Sequence, residues 1–109
     1  MVRILLIEDF PEDVGLLKRA LEKENLEFEL CISDNLENLE KQLFEFNPEI
    51  ILADYNLKGF TGIDSLNLVK KHNLDIPFIL VSGVIGEETA VQAMKEGVHD
   101  FVMKGKLTR

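Results

Sequence analysis

The sequence predicts a doubly wound α/β fold, in which five parallel strands form one sheet with helices on both faces. Apolar runs of strand length alternate along the chain with segments of helical periodicity. Most of these runs lack polar residues at every second position, as expected for strands that are covered on both faces. Strands joined through helices require parallel pairing and right-handed crossovers.

The predicted strands are separated by segments long enough to hold a helix. They comprise residues 2–7, 28–32, 50–53, 76–81 and 101–103. The second is interrupted by Glu29, and Pro77 lies at the start of the fourth, where a missing N–H is tolerated.

The predicted helices each place apolar residues on one stripe that can pack against the sheet. The stripes are Val14, Leu17 and Leu21; Leu36, Leu39 and Leu43; Ile63 and Leu66; and Ala90, Ala93 and Met94. Asp34 with Glu37 predicts a capping box at the start of the second helix, and Thr61 with Asp64 predicts one at the third. Gly97 is expected to end the fourth helix in a left-handed conformation.

A fifth helix is expected after the last strand, but residues 106–109 could supply only its first turn. We therefore expect one small domain over residues 1–109 whose last helix is largely missing and whose chain is truncated at the C-terminus. The formal net charge of −8 argues against direct binding to nucleic acid or to an anionic membrane. A lone Cys31 and the lack of an export signal or a membrane span predict a cytoplasmic protein.

Polar side chains follow four of the five apolar runs, and they predict a shared site. They are Glu8 and Asp9, Asp54, Ser82 and Lys104. The carboxyl ends of parallel strands lie along one edge, which is where open α/β sheets bind ligands. Carboxylates held there would repel each other by about 4 kcal/mol per pair at ~4 Å and an effective dielectric constant near 20. Mg²⁺, which prefers oxygen ligands, would offset that repulsion.

The same residues suit phosphoryl transfer to a carboxylate. Lys104 can meet an anion and Ser82 can donate a hydrogen bond to it. Catalysis of such a transfer depends mainly on positioning and on charge neutralisation, and a carboxylate can be the nucleophile.

Four ordered motifs resemble the receiver domain of two-component response regulators. They are Ile-Leu-Leu-Ile-Glu-Asp at 4–9, Ile-Leu-Ala-Asp-Tyr-Asn-Leu-Lys-Gly-Phe-Thr-Gly at 51–62, Val-Ser-Gly at 81–83 and Asp-Phe-Val-Met-Lys at 100–104. The resemblance covers the whole chain and implies a flavodoxin-like (receiver) topology. It also implies a cytoplasmic signalling switch that accepts a phosphoryl group from a histidine kinase or phosphotransfer protein and acts on an effector domain or partner protein.

The resemblance assigns a role to each residue of the predicted site. Asp54 is implied to be the phosphoacceptor, and Mg²⁺ is implied to be bound by Asp9, Glu8 through water, Asp54 and the backbone carbonyl of Asn56. The remaining implied roles are phosphoryl contacts for Ser82 and Lys104, an aromatic switch at Phe101 and access for water or a partner at Gly83. The chain departs from the family pattern at Glu8, where Asp is commoner, and at Lys58 and Gly105, where Pro is frequent.

Other interpretations of these residues remain open. Asp9 could cap the helix near Pro11, Asp54 could begin a turn, and Phe101 could be an ordinary core residue. Glu12 and Asp13 are expected only to favour the N-terminal dipole of the first helix.

Two other classes of protein are also possible. A degenerate receiver would act as a protein-interaction module without phosphorylation. A flavodoxin-like cofactor binder would need a phosphate-cradling loop after the first strand, where Glu8 and Asp9 would repel phosphate.

Overall fold

The computed structural model describes residues 1–83 and 86–105, and it has the predicted doubly wound architecture. The elements in chain order are β1 (Val2–Ile7), α1 (Pro11–Lys23), β2 (Phe28–Ser33), α2 (Leu36–Glu45), β3 (Ile50–Ala53), β4 (Asn56–Leu57), β5 (Phe60–Thr61), α3 (Gly62–Lys71), β6 (Phe78–Ser82), α4 (Glu87–Glu96) and β7 (Asp100–Met103). The main sheet has the strand order β2-β1-β3-β6-β7 with every neighbouring pair parallel.

Strand positions agree closely with the sequence prediction. β1 and β3 have the predicted bounds, while β2 extends to Ser33 and β6 runs from Phe78 to Ser82. The antiparallel hairpin of β4 and β5 was not predicted, because two-residue strands are too short to give a hydrophobic period.

The helices cover both faces of the sheet. Side chains of α2, α3 and α4 pack with Leu5 and Ile7 of β1 in one core cluster. Leu17 of α1 packs with Ile4 and Leu6 in a second cluster on the opposite face. Alternation along β1 therefore divides its side chains between two layers of helices.

Two of the three predicted helix boundaries are confirmed. Thr61 and Asp64 form the predicted capping box at α3, and Gly97 ends α4 with φ 114°. The predicted box at Asp34 is wrong by one residue, because the Asn35 side chain caps α2 by accepting a hydrogen bond from the Asn38 N–H at 2.7 Å. Asp34 instead accepts a hydrogen bond from the Asn35 side-chain amide.

The predicted first turn of a fifth helix, at residues 106–109, lies outside the described residues. Over the described ranges, no helix is both long enough and apolar enough to cross a membrane.

Candidate functional site

The carboxyl edge of the sheet brings most of the predicted site residues together. Glu8 follows β1, Asp54 follows β3, Ser82 ends β6 and Lys104 follows β7. All four are buried. An open cleft of about 440 Å³ lies beside them and is lined by Asp13, Leu16, Asp54, Asn56, Ser82, Gly83, Lys104 and Gly105.

Lys104 is the electrostatic centre of the site. Its ammonium nitrogen donates to Glu8 Oε1 at 2.6 Å and to Asp13 Oδ2 at 2.7 Å. It also lies 3.4 Å from Asp54 Oδ2. One buried cation therefore offsets the mutual repulsion of three carboxylates, whereas the sequence analysis had assigned this role to Mg²⁺.

Burial and charge act in opposite directions on these groups. Burial raises the pKa of the Glu8 carboxyl to about 7, with the charge of Asp54 adding to the rise and the hydrogen bond from Lys104 opposing it. Burial alone would lower the pKa of Lys104, but hydrogen bonds to Asp13 and Glu8 and the nearby acidic charges outweigh burial and raise that pKa. Lys104 therefore stays protonated at neutral pH.

The backbone fixes the orientation of the Asp54 carboxylate. Asp54 Oδ1 accepts a hydrogen bond from the Tyr55 N–H at 2.8 Å, which leaves Oδ2 on the side of Lys104. Gly62 packs directly behind this segment, and a Cβ added there would lie 2.6 Å from the carbonyl oxygen of Asp54. Asp54 can therefore begin a turn and still line the cleft.

Asp9 is placed differently from the other acidic residues. Its Oδ2 accepts a hydrogen bond from the Lys58 N–H at 2.6 Å, which ties the end of β1 to the β4–β5 hairpin. The side chain lines a neighbouring cleft of about 280 Å³ instead of the one lined by Asp54. The capping alternative for Asp9 is wrong, because α1 has Phe10 as its N-cap residue and no side-chain cap hydrogen bond.

The remaining predicted residues lie around the cleft or behind it. Gly83 is exposed, and a Cβ built there meets no atom within 4 Å, so the cleft is open on that side. Asn56 lines the cleft from the exposed start of the hairpin. Phe101 is half-buried in β7 and packs against the core cluster that α2, α3 and α4 cover.

The donor chemistry of the site fits Mg²⁺, although the side chains are not grouped as a metal cluster. Within residues 1–83 and 86–105, no three His, Cys, Asp or Glu side chains are placed so that they could hold a metal ion. Mg²⁺ commonly takes one or two carboxylates together with water and phosphate oxygens, so such a cluster is not required. Glu8 and Asp54 supply buried carboxylates, and both lie beside the positively charged ammonium of Lys104.

Sequence reasoning missed two residues of this site. Asp13 was expected only to favour the helix dipole, yet it hydrogen-bonds to Lys104. No local pattern indicates this hydrogen bond, because it joins α1 to the residue that follows β7, 91 positions along the chain. Gly62 gave no distinct signal, because its close approach to Asp54 depends on the packing of α3.

Comparison with known proteins identifies the family. The model of the response regulator receiver domain matches residues 4–107. The nitrogen assimilation regulatory protein NtrX of Azorhizobium caulinodans is 29% identical over 93% of this chain and 22% of its own length. The C4-dicarboxylate transport transcriptional regulatory protein DctD of Pseudomonas aeruginosa is 28% identical over 94% of this chain and 22% of its own length. The chain thus spans about a fifth of these curated relatives.

Solved structures agree with this result. A response regulator from Hahella chejuensis superposes with a TM-score of 0.84 at 25% identity, covering 97% of this chain and 82% of that one. The match to the family model over nearly the whole chain, together with this shared fold, confirms the resemblance seen in the four motifs. The chain belongs to the response regulator receiver domain family of two-component signalling systems.

Proposed function

We propose that the chain is one receiver domain that acts as a phosphorylatable switch, with Asp54 as the phosphoacceptor. The observation that carries this proposal is the position of Asp54 Oδ2, which lies in an open cleft 3.4 Å from the Lys104 ammonium. A histidine kinase or phosphotransfer protein would supply the phosphoryl group in the cytoplasm. The domain would promote this transfer and its own dephosphorylation without acting as a conventional enzyme.

The transfer balances as a displacement at phosphorus. A carboxylate oxygen of Asp54 forms the new P–O bond while the P–N bond of the donor phosphohistidine breaks. The electron pair of that bond leaves with the ring nitrogen of an imidazole that is protonated on its other nitrogen, so neutral histidine is released. No additional reactant is needed.

The residues around Asp54 would position its carboxylate and neutralise the charge of the transferred phosphoryl group. The Tyr55 N–H holds one carboxylate oxygen, so the other is directed towards the cleft. Lys104 and Ser82 would contact the transferred phosphoryl oxygens, and Gly83 would leave the approach open.

Receiver domains generally bind Mg²⁺ at the phosphorylation site. Here Glu8, Asp9, Asp54 and the carbonyl of Asn56 are the proposed ligands, with Glu8 acting through water. Bound Mg²⁺ supplies positive charge that neutralises the phosphoryl oxygens during transfer. Asp9 would have to exchange its hydrogen bond with the Lys58 N–H for such a role.

Phosphorylation would be transmitted to the surface through β6 and β7. Ser82 is the last residue of β6. Two residues earlier in the same strand, Leu80 pairs with Phe101 of β7. Movement of Ser82 towards the phosphoryl group would allow Phe101 to turn inward and alter the surface near α4 and β7. An effector domain or partner protein would recognise that change.

The test is the intact mass of the protein after incubation with acetyl phosphate and Mg²⁺. The parent protein should gain one phosphoryl group, and Asp54→Asn and Asp54→Ala should not, because both variants lack the nucleophile. Glu12→Gln retains Asp54 and removes one carboxylate from an exposed position of α1, so this control variant should gain the phosphoryl group. A phosphoprotein mass in Asp54→Ala would reject the assignment.

A receiver that only binds a protein partner is the second candidate. The separation of Asp9 from the cleft and its hydrogen bond with Lys58 favour this candidate. It predicts no mass increase in the parent protein under the same conditions, even when Mg²⁺ is in excess.

A further inference from the structure

Asp13 holds the ammonium that the proposed mechanism needs at Asp54. Lys104 has three N–H donors, and its two short hydrogen bonds go to Glu8 at 2.6 Å and Asp13 at 2.7 Å. The distance to Asp54 Oδ2 is longer, at 3.4 Å. In this state the cation is therefore bound more closely by Asp13 than by the proposed phosphoacceptor.

The hydrogen bond between Asp13 and Lys104 goes beyond the general attraction of an acidic side chain to the N-terminus of a helix. Asp13 is the third residue of α1, and its backbone N–H bonds to the Phe10 carbonyl at 3.0 Å, while α1 has no side-chain cap hydrogen bond. The Asp13 side chain is 30% exposed and that of Lys104 is 9% exposed, so the pair is partly shielded from water. The bond also joins residues that are 91 positions apart.

We propose that Asp13 is a positioning residue that holds Lys104 in the resting state and competes with phosphorylated Asp54 for the same ammonium. This inference rests on the proposed function of Asp54. Phosphorylation adds negative charge and acceptor oxygens to Asp54, which lines the same cleft as Asp13 and Lys104. Loss of the hydrogen bond to Asp13 is then part of the free-energy difference between the resting and phosphorylated states.

Asp13→Asn should therefore strengthen binding of a phosphoryl mimic. The amide has nearly the same shape but attracts the ammonium less strongly, so Lys104 is released at lower cost. We expect the Kd of beryllofluoride with Mg²⁺ to fall about three- to tenfold. Tyr55, which is the only tyrosine in a chain without tryptophan, lies next to Asp54 and provides a fluorescence signal.

Two controls separate this competition from a general change in charge. Glu12→Gln removes the same charge from the neighbouring, exposed position of α1, and it should change the Kd less than about twofold. In a Lys104→Met background, Asp13→Asn should have little further effect, because the contested ammonium is gone. Equal effects of Asp13→Asn and Glu12→Gln would overturn the proposal, as would an unchanged or higher Kd in Asp13→Asn.

A second measurement tests the contact between Asp13 and Lys104 independently of phosphorylation. Urea unfolding of the metal-free parent, Asp13→Asn, Lys104→Met and the double variant should show non-additive changes in midpoint, since the two side chains interact in the resting state. Additive changes would overturn the resting contact even if phosphorylation occurs. If the parent fails to bind beryllofluoride, the proposed function is rejected, whereas the urea cycle still decides the resting contact. The comparison of Asp13→Asn with Glu12→Gln remains decisive if Lys104→Met does not fold.

Discussion

At the scale of single residues, the site depends on how buried charges are balanced. Glu8 has no side-chain exposure, yet it contributes a carboxylate beside Asp54. Lys104 makes this arrangement tolerable because it hydrogen-bonds to Glu8 and lies near Asp54. Such a pair gives little net stability over a neutral one, so its presence indicates function more than stability.

Glu8 should make the stability of the metal-free protein depend on pH. Its pKa rises from 4.5 to about 7 on folding, so the folded state binds the proton more tightly. This contribution is fully present below pH 4.5 and is lost as the pH rises towards 7. Glu8→Gln should remove the part of the pH dependence that Glu8 causes, and by pH 8 the free energy of unfolding of the variant should rise by up to about 3 kcal/mol relative to the parent. Urea unfolding at several pH values measures it.

The matched control is Glu12→Gln, which removes a carboxylate from an exposed position. That variant should keep the slope of the parent. A parent stability that rises between pH 5 and pH 7, with the same rise in Glu8→Gln, would contradict the role given to Glu8.

Ser33 carries a buried hydroxyl without a partner. Its Oγ is the one buried side-chain oxygen or nitrogen in the described part of the chain that lacks a hydrogen bond. Ser33→Ala should therefore leave the free energy of unfolding unchanged or raise it by about 1 kcal/mol. Ser65→Ala is the control, because Ser65 is equally buried and its hydroxyl donates to the Thr61 carbonyl. Thermal unfolding should show a loss only for Ser65→Ala.

At the scale of elements, the start of α3 determines where Asp54 can lie. The N–H of Gly62 donates to the Tyr55 carbonyl at 2.8 Å, and the helix then begins with the Thr61–Asp64 capping box. A side chain at position 62 would meet the Asp54 carbonyl oxygen and Leu80, each at 2.6 Å. The helix and the proposed phosphoacceptor are thus positioned by one close backbone contact.

Gly62→Ala should displace this contact and lower the free energy of unfolding by about 1–3 kcal/mol. It should also slow phosphorylation, because the Asp54 segment shifts relative to Lys104. Gly83→Ala is the control for stability, since a Cβ at that position meets no atom within 4 Å. Urea unfolding and the rate of mass increase with acetyl phosphate measure both effects. Equal free energies of unfolding in the two variants would contradict this prediction, because α3 would then have moved to accept the new side chain without loss of stability.

At the scale of the whole molecule, the chain carries a large excess of negative charge. The formal net charge of −8 means that added salt should stabilise the folded chain by screening repulsion. A specific cation site should add to that general effect. Ionic strength and metal binding can therefore be separated by comparing two salts.

Mg²⁺ should raise the melting temperature more than NaCl does at the same ionic strength. Occupation at tenfold excess over the Kd contributes about 1.4 kcal/mol, because the metal binds the folded state. Asp9→Asn should lose more of this increment than Glu8→Gln, since Asp9 is the proposed direct ligand. Equal melting temperatures in the two salts would contradict a metal site in this protein.

Local sequence patterns were sufficient to predict the order of the elements and most of the residues at the carboxyl edge of the sheet. Hydrophobic periodicity is a local property, so β1, β3 and the Thr61 and Gly97 boundaries could be predicted from neighbouring residues. Parallel pairing then brought the strand ends to one edge, which predicted that Glu8, Asp54, Ser82 and Lys104 would meet.

The pairing of charges within that edge depends instead on how the elements pack against one another. The bond from Lys104 to Asp13 depends on the position of α1 relative to β7, and the bond from Lys58 to Asp9 depends on a hairpin that has no sequence period. The close approach of Gly62 likewise depends on how α3 packs against the segment after β3. The two hydrogen bonds join residues distant in sequence, and all three contacts depend on packing and burial, which local patterns do not encode.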